Sequence, residues 1–174
     1  MLGYVFWHWP DAGVDVAGYE QAQARFHAAL GAAGSEGFVR SWSFHVDGTT
    51  WLPVASAYED WYLLEGSFAL DPLNDVVVSP ALRPAHDVAA RGASGAGGLY
   101  RLLSGVPEPR DGEVCWLSKP RGEAYAVFYG RFDRDAVLWR RQNVLGPAPE
   151  FLLEGGEPPD GLSPVRARRR VVVV

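Results

Sequence analysis

Cysteine is all but missing: Cys115 stands alone in a chain of 174 residues. A lone thiol excludes an intramolecular disulfide and any cysteine-rich metal site, and it fits a reducing compartment. Positive charge is also in short supply. The formal charge of −5 disfavours the basic face that general nucleic-acid binding requires, and it disfavours anionic membranes. No apolar run approaches the roughly 20 residues of a spanning helix. The opening residues, Met1-Leu-Gly-Tyr-Val-Phe-Trp7, have no basic start and no small-residue cleavage site, so no signal peptide is expected. Together these gaps predict a soluble cytoplasmic protein with no nucleic-acid or membrane partner.

Large rings are abundant. Aromatics make up 13% of the chain, with seven tryptophans, and residues of this size often line pockets or interfaces. Certain strings also recur. Tyr62-Leu-Leu-Glu65-Gly66 returns as Phe151-Leu-Leu-Glu154-Gly155. Tyr19 with Arg25-Phe26 is echoed by Tyr125 with Arg131-Phe132, and Phe6-Trp-His-Trp-Pro10 by Trp116-Leu-Ser-Lys-Pro120. The echoes keep their order, which predicts two copies of one unit, residues 1–106 and a compressed 107–174, sharing one core.

Local patterns supply the elements. Leu2 to Trp9 reads as a strand apolar on both faces. Asp15 caps a helix over 16–33, with an apolar stripe at Tyr19, Ala22, Phe26, Ala29, Leu30 and Ala33 and a stop at Gly34. His27 lies off that stripe and is expected in solvent. Strands follow over Phe38–Val46 and Tyr58–Glu65, a helix starts at Asp71-Pro72, and a helical piece lies near His86–Arg91. The glycine-rich run 92–98 is expected to be a mobile loop before a strand at Leu99–Ser104. In the second unit the pattern gives strands at Val114–Lys119, Ala136–Leu145 and Glu150–Glu154 and a short helix at Glu123–Phe132. The segment Gly155-Gly-Glu-Pro-Pro-Asp-Gly161 cannot hold a helix. Arg166–Val174 is either a basic tail or a last strand, and its β-branched end favours the strand.

Strand, helix, strand, strand, helix, strand is the ferredoxin-like order. With the internal repeat, it resembles the α+β barrel superfamily in its tandem single-chain form. The resemblance implies an α+β fold: two ferredoxin-like units form an α+β barrel, their bare sheet faces packed together, and the second unit has its second helix reduced to a loop. Superfamily members include cofactor-free monooxygenases, small-molecule lyases and isomerases, and haem enzymes, and fold alone does not choose among them. In tandem haem members the proximal histidine comes from the C-terminal unit, whereas all four histidines here (His8, His27, His45, His86) lie in the first. No haem, and no other cofactor, is therefore expected.

If the sheets face each other, alternation assigns one side of each strand to the shared interior. The polar set of the second strand (Ser41, Ser43, His45) and Trp61, Leu63 and Glu65 of the third then point inward. The repeat adds Glu150 and Glu154, the aligned first strands add His8 and Ser118, and one of Arg140 and Arg141 joins them. The candidate ligand-binding set is His8, His45, Trp61, Glu65, Ser118, Arg140, Glu150 and Glu154. Buried among aromatic rings, such groups have shifted pKa values and move protons. The expected function is binding of a small aromatic or apolar molecule in the barrel interior, with cofactor-independent catalysis open. The alternative is a non-enzymatic module that forms a homodimer. No ligand spacing supports a metal. Cys115, without a basic neighbour, is expected to be a buried inert thiol.

Overall fold

The computed structural model describes residues 1–142 and 146–174. In chain order the elements are β1 (Leu2–Pro10), α1 (Val16–Ala33), β2 (Phe38–Asp47), β3 (Ser56–Leu64), a 3-10 turn (Ser67–Ala69), α2 (Leu70–Val77), α3 (Arg83–Ala89), β4 (Ala93–Ser104), β5 (Gly112–Leu117), α4 (Tyr125–Tyr129), β6 (Val137–Arg141), β7 (Phe151–Glu154) and β8 (Val165–Val173). The strands close into one barrel in the order β1-β3-β2-β8-β5-β7-β6-β4. Every neighbouring pair runs antiparallel.

This corrects the expected fold class. The chain is mostly sheet and forms a single closed antiparallel barrel, not an α+β pair of ferredoxin-like units with facing sheets. The deciding contacts are two ladders. β2 pairs β8 from Ser43 against Val173 to Asp47 against Arg168, and β4 pairs β6 from Tyr100 against Arg141 to Ser104 against Leu138. They join what were expected to be separate sheet edges, and closure leaves a barrel interior in place of two packed layers. Helices are few: α1 has 18 residues, α4 only 5. None among the described residues is long and apolar enough to cross a membrane.

Local signals placed α1 well. Asp15 accepts from the Gly18 backbone N–H at 2.9 Å, and the Gly34 N–H returns to the Leu30 carbonyl. The glycine-rich run, expected to be loop, is instead the first half of β4. A Cβ on Gly95 would stand 2.4 Å from the Phe6 ring. Glycine lets the outward aromatic of β1 lie flat across its neighbour, so composition that reads as flexible marks close ring-on-backbone approach. The expected strand Ala136–Leu145 ends at Arg141, and its residues 143–145 lie outside those described. Arg166–Val174 belongs to a strand, β8, rather than a tail.

The barrel interior is filled by indoles. Trp7, Trp42, Trp61, Trp116 and Trp139 are its largest fully buried side chains, packed with Val5, Phe44, Leu63, Tyr100 and Leu152. Trp51, from the β2–β3 connection, lies 5.0 Å from Trp116 between ring centroids. Gly3 makes room for this packing, since a Cβ there would meet Trp61 Cζ3 at 2.7 Å and Trp139 Cζ3 at 3.3 Å. Gly3→Ala is therefore expected to destabilise the protein by about 1–3 kcal/mol through overpacking. The urea midpoint checks this, and a midpoint at the wild-type value would mean that the indoles give way freely.

Outside the barrel, α1, α2 and α3 cover β1 and β3 through Leu2, Phe26, Leu30, Tyr62, Leu64 and Leu73. α4 covers β5, β6 and β7 through Cys115, Leu117, Phe128, Leu138 and Phe151. Cys115 is buried and its thiol pKa is pushed up by that burial, which fits an inert thiol.

Candidate functional site

Alternation along β1 and β3 sends Trp7, Glu59, Trp61 and Leu63 into the barrel and His8, Tyr58, Asp60 and Tyr62 toward α1. The eight residues expected to share one cavity are thereby split. Trp61 and Glu154 belong to the interior. His8 faces outward, under α1. His45 is half-buried beside Tyr58, with its Nδ1 3.8 Å from Asp47. Glu65, past the end of β3, and Ser118, past the end of β5, are exposed. Arg140 and Glu150 meet each other at 3.4 Å on the outer wall, where the Arg140 guanidinium lies 4.0 Å from the centre of the Tyr125 ring. The polar side of β2 is also reversed from expectation: Trp42, Phe44 and Val46 point inward. Polar groups were assigned to a shared cavity, but an interior full of indoles takes the apolar side.

Two clusters of buried polar groups remain. The first is inside the barrel. Arg169 of β8 bridges Glu59 and Glu154, its Nη2 on Glu59 and its Nη1 3.2 Å from Glu154 Oε2. Trp7 and Trp61 donate their indole N–H groups to Glu59 at 2.7 and 2.6 Å, and Trp139 donates to Glu154 at 2.6 Å. The guanidinium also lies over the Phe44 and Trp61 rings, at 4.8 and 5.4 Å. Burial raises the Glu154 pKa, and Arg169 and the Trp139 hydrogen bond oppose the rise. Every carboxylate here has a donor, Glu59 is walled in by rings, and Glu154 also borders a cleft of about 160 Å³ beside Val106 and Val137, so this cluster ties strands together.

The second cluster lies between the barrel wall and α1, and it borders open space. Asp60 sits at its centre, 2% exposed. His8 Nε2 stands 3.1 Å from one carboxylate oxygen and His27 Nε2 3.3 Å from the other, while the Tyr62 hydroxyl donates to Asp60 at 3.0 Å. The imidazole N–H directions are not aligned with those oxygens, so the histidine contacts are coulombic rather than linear hydrogen bonds. Burial pushes the Asp60 carboxyl up, but the two imidazoles more than reverse this and hold it well below the usual carboxylate range. An ionised Asp60 only accepts, so in the neutral form of either imidazole the single proton belongs on Nε2 and Nδ1 is left as an acceptor. The Tyr19 hydroxyl meets His8 Nδ1 at 2.5 Å, and the Ser41 hydroxyl meets His27 Nδ1 at 2.7 Å. Burial first, and then the Asp60 charge, raise the Tyr19 and Tyr62 hydroxyls above the ordinary tyrosine value, so both stay protonated.

A cleft of about 120 Å³ opens beside His8 and Tyr19, walled by Phe6, Phe26 and Tyr62 with His86 and Ala90 at its side. It adjoins a second space of about 310 Å³ that shares Phe6, Phe26, Tyr62 and His86 and adds Tyr4, Leu73 and Val77. The pair make an apolar groove with a polar end.

Of this cluster, sequence reasoning supplied only His8. His27 was expected in solvent but is 4% exposed. The signal was available: Tyr19, Gln23 and His27 stand four apart and form a seam beside the apolar stripe, and all three are buried. Asp60 was missed because the two faces of its strand were compared only from Trp61 to Glu65, although the strand was placed from Tyr58. Among the described residues no group of acidic, histidine or cysteine side chains is arranged to hold a metal ion. Comparison with protein-family models, with curated proteins and with solved structures finds no match for the chain.

Proposed function

We propose that the protein binds a small aromatic or apolar molecule bearing one hydrogen-bonding group, in the groove between the barrel wall and helices α1, α2 and α3. The observation that carries this reading is a buried Tyr19–His8–Asp60 chain at one end of an otherwise apolar cleft. Few polar groups converging in an apolar concavity is the usual make-up of a small-molecule site. The rings of Tyr4, Phe6, Phe26 and Tyr62 provide flat apolar contact for a planar ligand. Tyr19 donates to His8, and its oxygen, which the Gln23 side chain also approaches, keeps a lone pair for a ligand donor. The chain behind it takes up or returns a proton without a cofactor, as general acid–base work requires.

The test is thermal stabilisation by a panel of small aromatic compounds with and without a hydroxyl. Ligands are expected to raise the wild-type Tm. Ala90→Phe, which fills the cleft from an exposed position on its rim, should abolish that rise while leaving the unliganded Tm near its wild-type value. Tyr19→Phe should weaken hydroxyl-bearing ligands about fivefold, the equivalent of one net hydrogen bond of ~1 kcal/mol. Stabilisation that survives Ala90→Phe would place the ligand elsewhere and defeat this reading.

A further inference from the structure

We propose that Ser41, His27 and Asp60 form a nucleophile, base and orienting carboxylate that open on a different cleft and accept acyl groups from carboxylic esters. This cleft lies on the opposite flank of α1 from the groove. It has a volume of about 610 Å³ and is walled by Ala24, Ala28 and Gly31 of α1, Phe38 and Val39 of β2, and Val173 of β8. Both Ser41 and His27 border it.

The geometry has the three parts that activate a serine. Ser41 Oγ is 2.7 Å from His27 Nδ1, and His27 Nε2 is 3.3 Å from Asp60 Oδ2. In the neutral ring, with its proton on Nε2 on the side of the carboxylate, Nδ1 has a lone pair facing the serine hydroxyl, and Asp60 holds the imidazolium that forms by charge rather than by a linear hydrogen bond. The His27 ring is fixed by stacking on Tyr62, with centroids 5.4 Å apart and planes within 4°. Tyr62 in turn donates to Asp60, so ring and carboxylate are positioned by one residue. Small side chains on α1 leave the space in front of Ser41 open. Among the described residues, β8 pairs β2 only from Ser43 onward. The edge of β2 from Phe38 to Trp42 therefore has no strand partner on that side. Alternate backbone N–H groups along such an edge are donors for a developing oxyanion.

The step balances without any cofactor. Ser41 Oγ bonds to the ester carbonyl carbon while its proton moves to His27 Nδ1. The carbon–oxygen bond to the alcohol breaks, and His27 gives that proton to the departing oxygen, leaving acyl-Ser41. Water then repeats the attack through His27, releasing the acid and restoring the serine. The apolar walls fit an acyl chain or ring.

The experiment treats the full chain with a fluorophosphonate and, separately, with 4-nitrophenyl acetate, and locates any adduct by peptide mass spectrometry. An adduct on Ser41 is expected, with nitrophenol release lost in Ser41→Ala. In His27→Gln both labelling and release should slow by about 100-fold or more, the scale of a missing general base. Asp60 acts through His27, so its readout is rescue: Asp60→Asn should slow labelling of Ser41, and Asp60→Glu should restore part of the rate, which a loss of packing alone would not do. An adduct on any other residue, equal labelling in His27→Gln, or no adduct at all would overturn the proposal. Should His27→Gln fail to fold, Ser41→Ala decides alone, since it removes a single oxygen from a half-buried side chain. Label and nitrophenol release that persist in it refute the assignment.

Discussion

Arg169→Leu should be the most damaging single substitution in the barrel, destabilising the protein by about 3–5 kcal/mol, the scale of leaving a buried charge without its partner. Two carboxylates depend on this one guanidinium. It contacts Glu59 and Glu154 while itself only 2% exposed. The three indole donors remain after the substitution, but they are dipoles and cannot replace a full charge. The pH dependence has a defined sign. Glu154 is already raised, by burial above all, and Arg169 is the largest influence opposing that rise. Removing it lifts the Glu154 pKa further, so the folded variant takes up a proton that the unfolded chain, near the ordinary value of about 4, does not. Stability of the variant should therefore recover as pH falls toward that value and decline as pH rises through the lifted one. Urea denaturation at a series of pH values measures this. A deficit that stays constant across the series would show that lost packing, rather than stranded charge, is responsible. Replacing Glu59, Glu154 and Arg169 together by leucine should cost much less than Arg169→Leu alone, because apolar residues of similar volume often substitute for a buried ion set without loss.

Asp60→Asn is expected to cost a similar ~3–5 kcal/mol, on the same grounds, outside the barrel. Its effect on pH runs the other way. Asp60 is held well below the ordinary carboxylate range by His8 and His27, against the burial that would raise it. A depressed carboxyl stabilises the fold fully above its unfolded value, and that contribution drains away as pH falls toward the folded one. The gap between wild type and variant should thus be level near neutrality and narrow below about pH 4. His8, His27 and Tyr62 contact this carboxylate, from β1, α1 and β3, and the Tyr4 and Tyr19 hydroxyls also feel its charge. Equal gaps at neutral and strongly acid pH would remove Asp60 from its role as a charged hub, and with it the electrostatic basis of both clefts.

The parts of the fold that local pattern can carry were legible. α1 begins and ends where its cap and its glycine say, because Asp15 and Gly34 act on groups three or four residues away. The two faces of β3 were read correctly too, since Trp61 and Leu63 alternate with Tyr62 and Leu64. Closure was not legible. The β4–β6 and β2–β8 ladders join strands far apart in the chain, and backbone pairing of this kind leaves no period in the sequence. The error at β2 has a different origin. Alternation shows that two faces differ, but it does not say which is inside, and a barrel wrapped by a helix on its outer wall has two buried faces. Ser41 therefore meets His27 of the polar seam of α1 on the outer wall, while Trp42 fills the interior. The same ambiguity moved His8 from the expected cavity to the groove.

The crowd of indoles has an optical corollary. Trp7 lies 5.6 Å from Trp116, Trp116 5.0 Å from Trp51, and Trp61 4.8 Å from Trp139, centre to centre. Rings at such separations exchange excitation and couple as chromophores. The near-ultraviolet circular dichroism of this molecule should carry strong bands of interacting pairs, which vanish when the strands part. Emission, for its part, reports on the inner wall and stays largely blind to whatever settles between helix and sheet. The protein thus contains its own spectroscopic gauge of barrel integrity, independent of occupancy at either cleft.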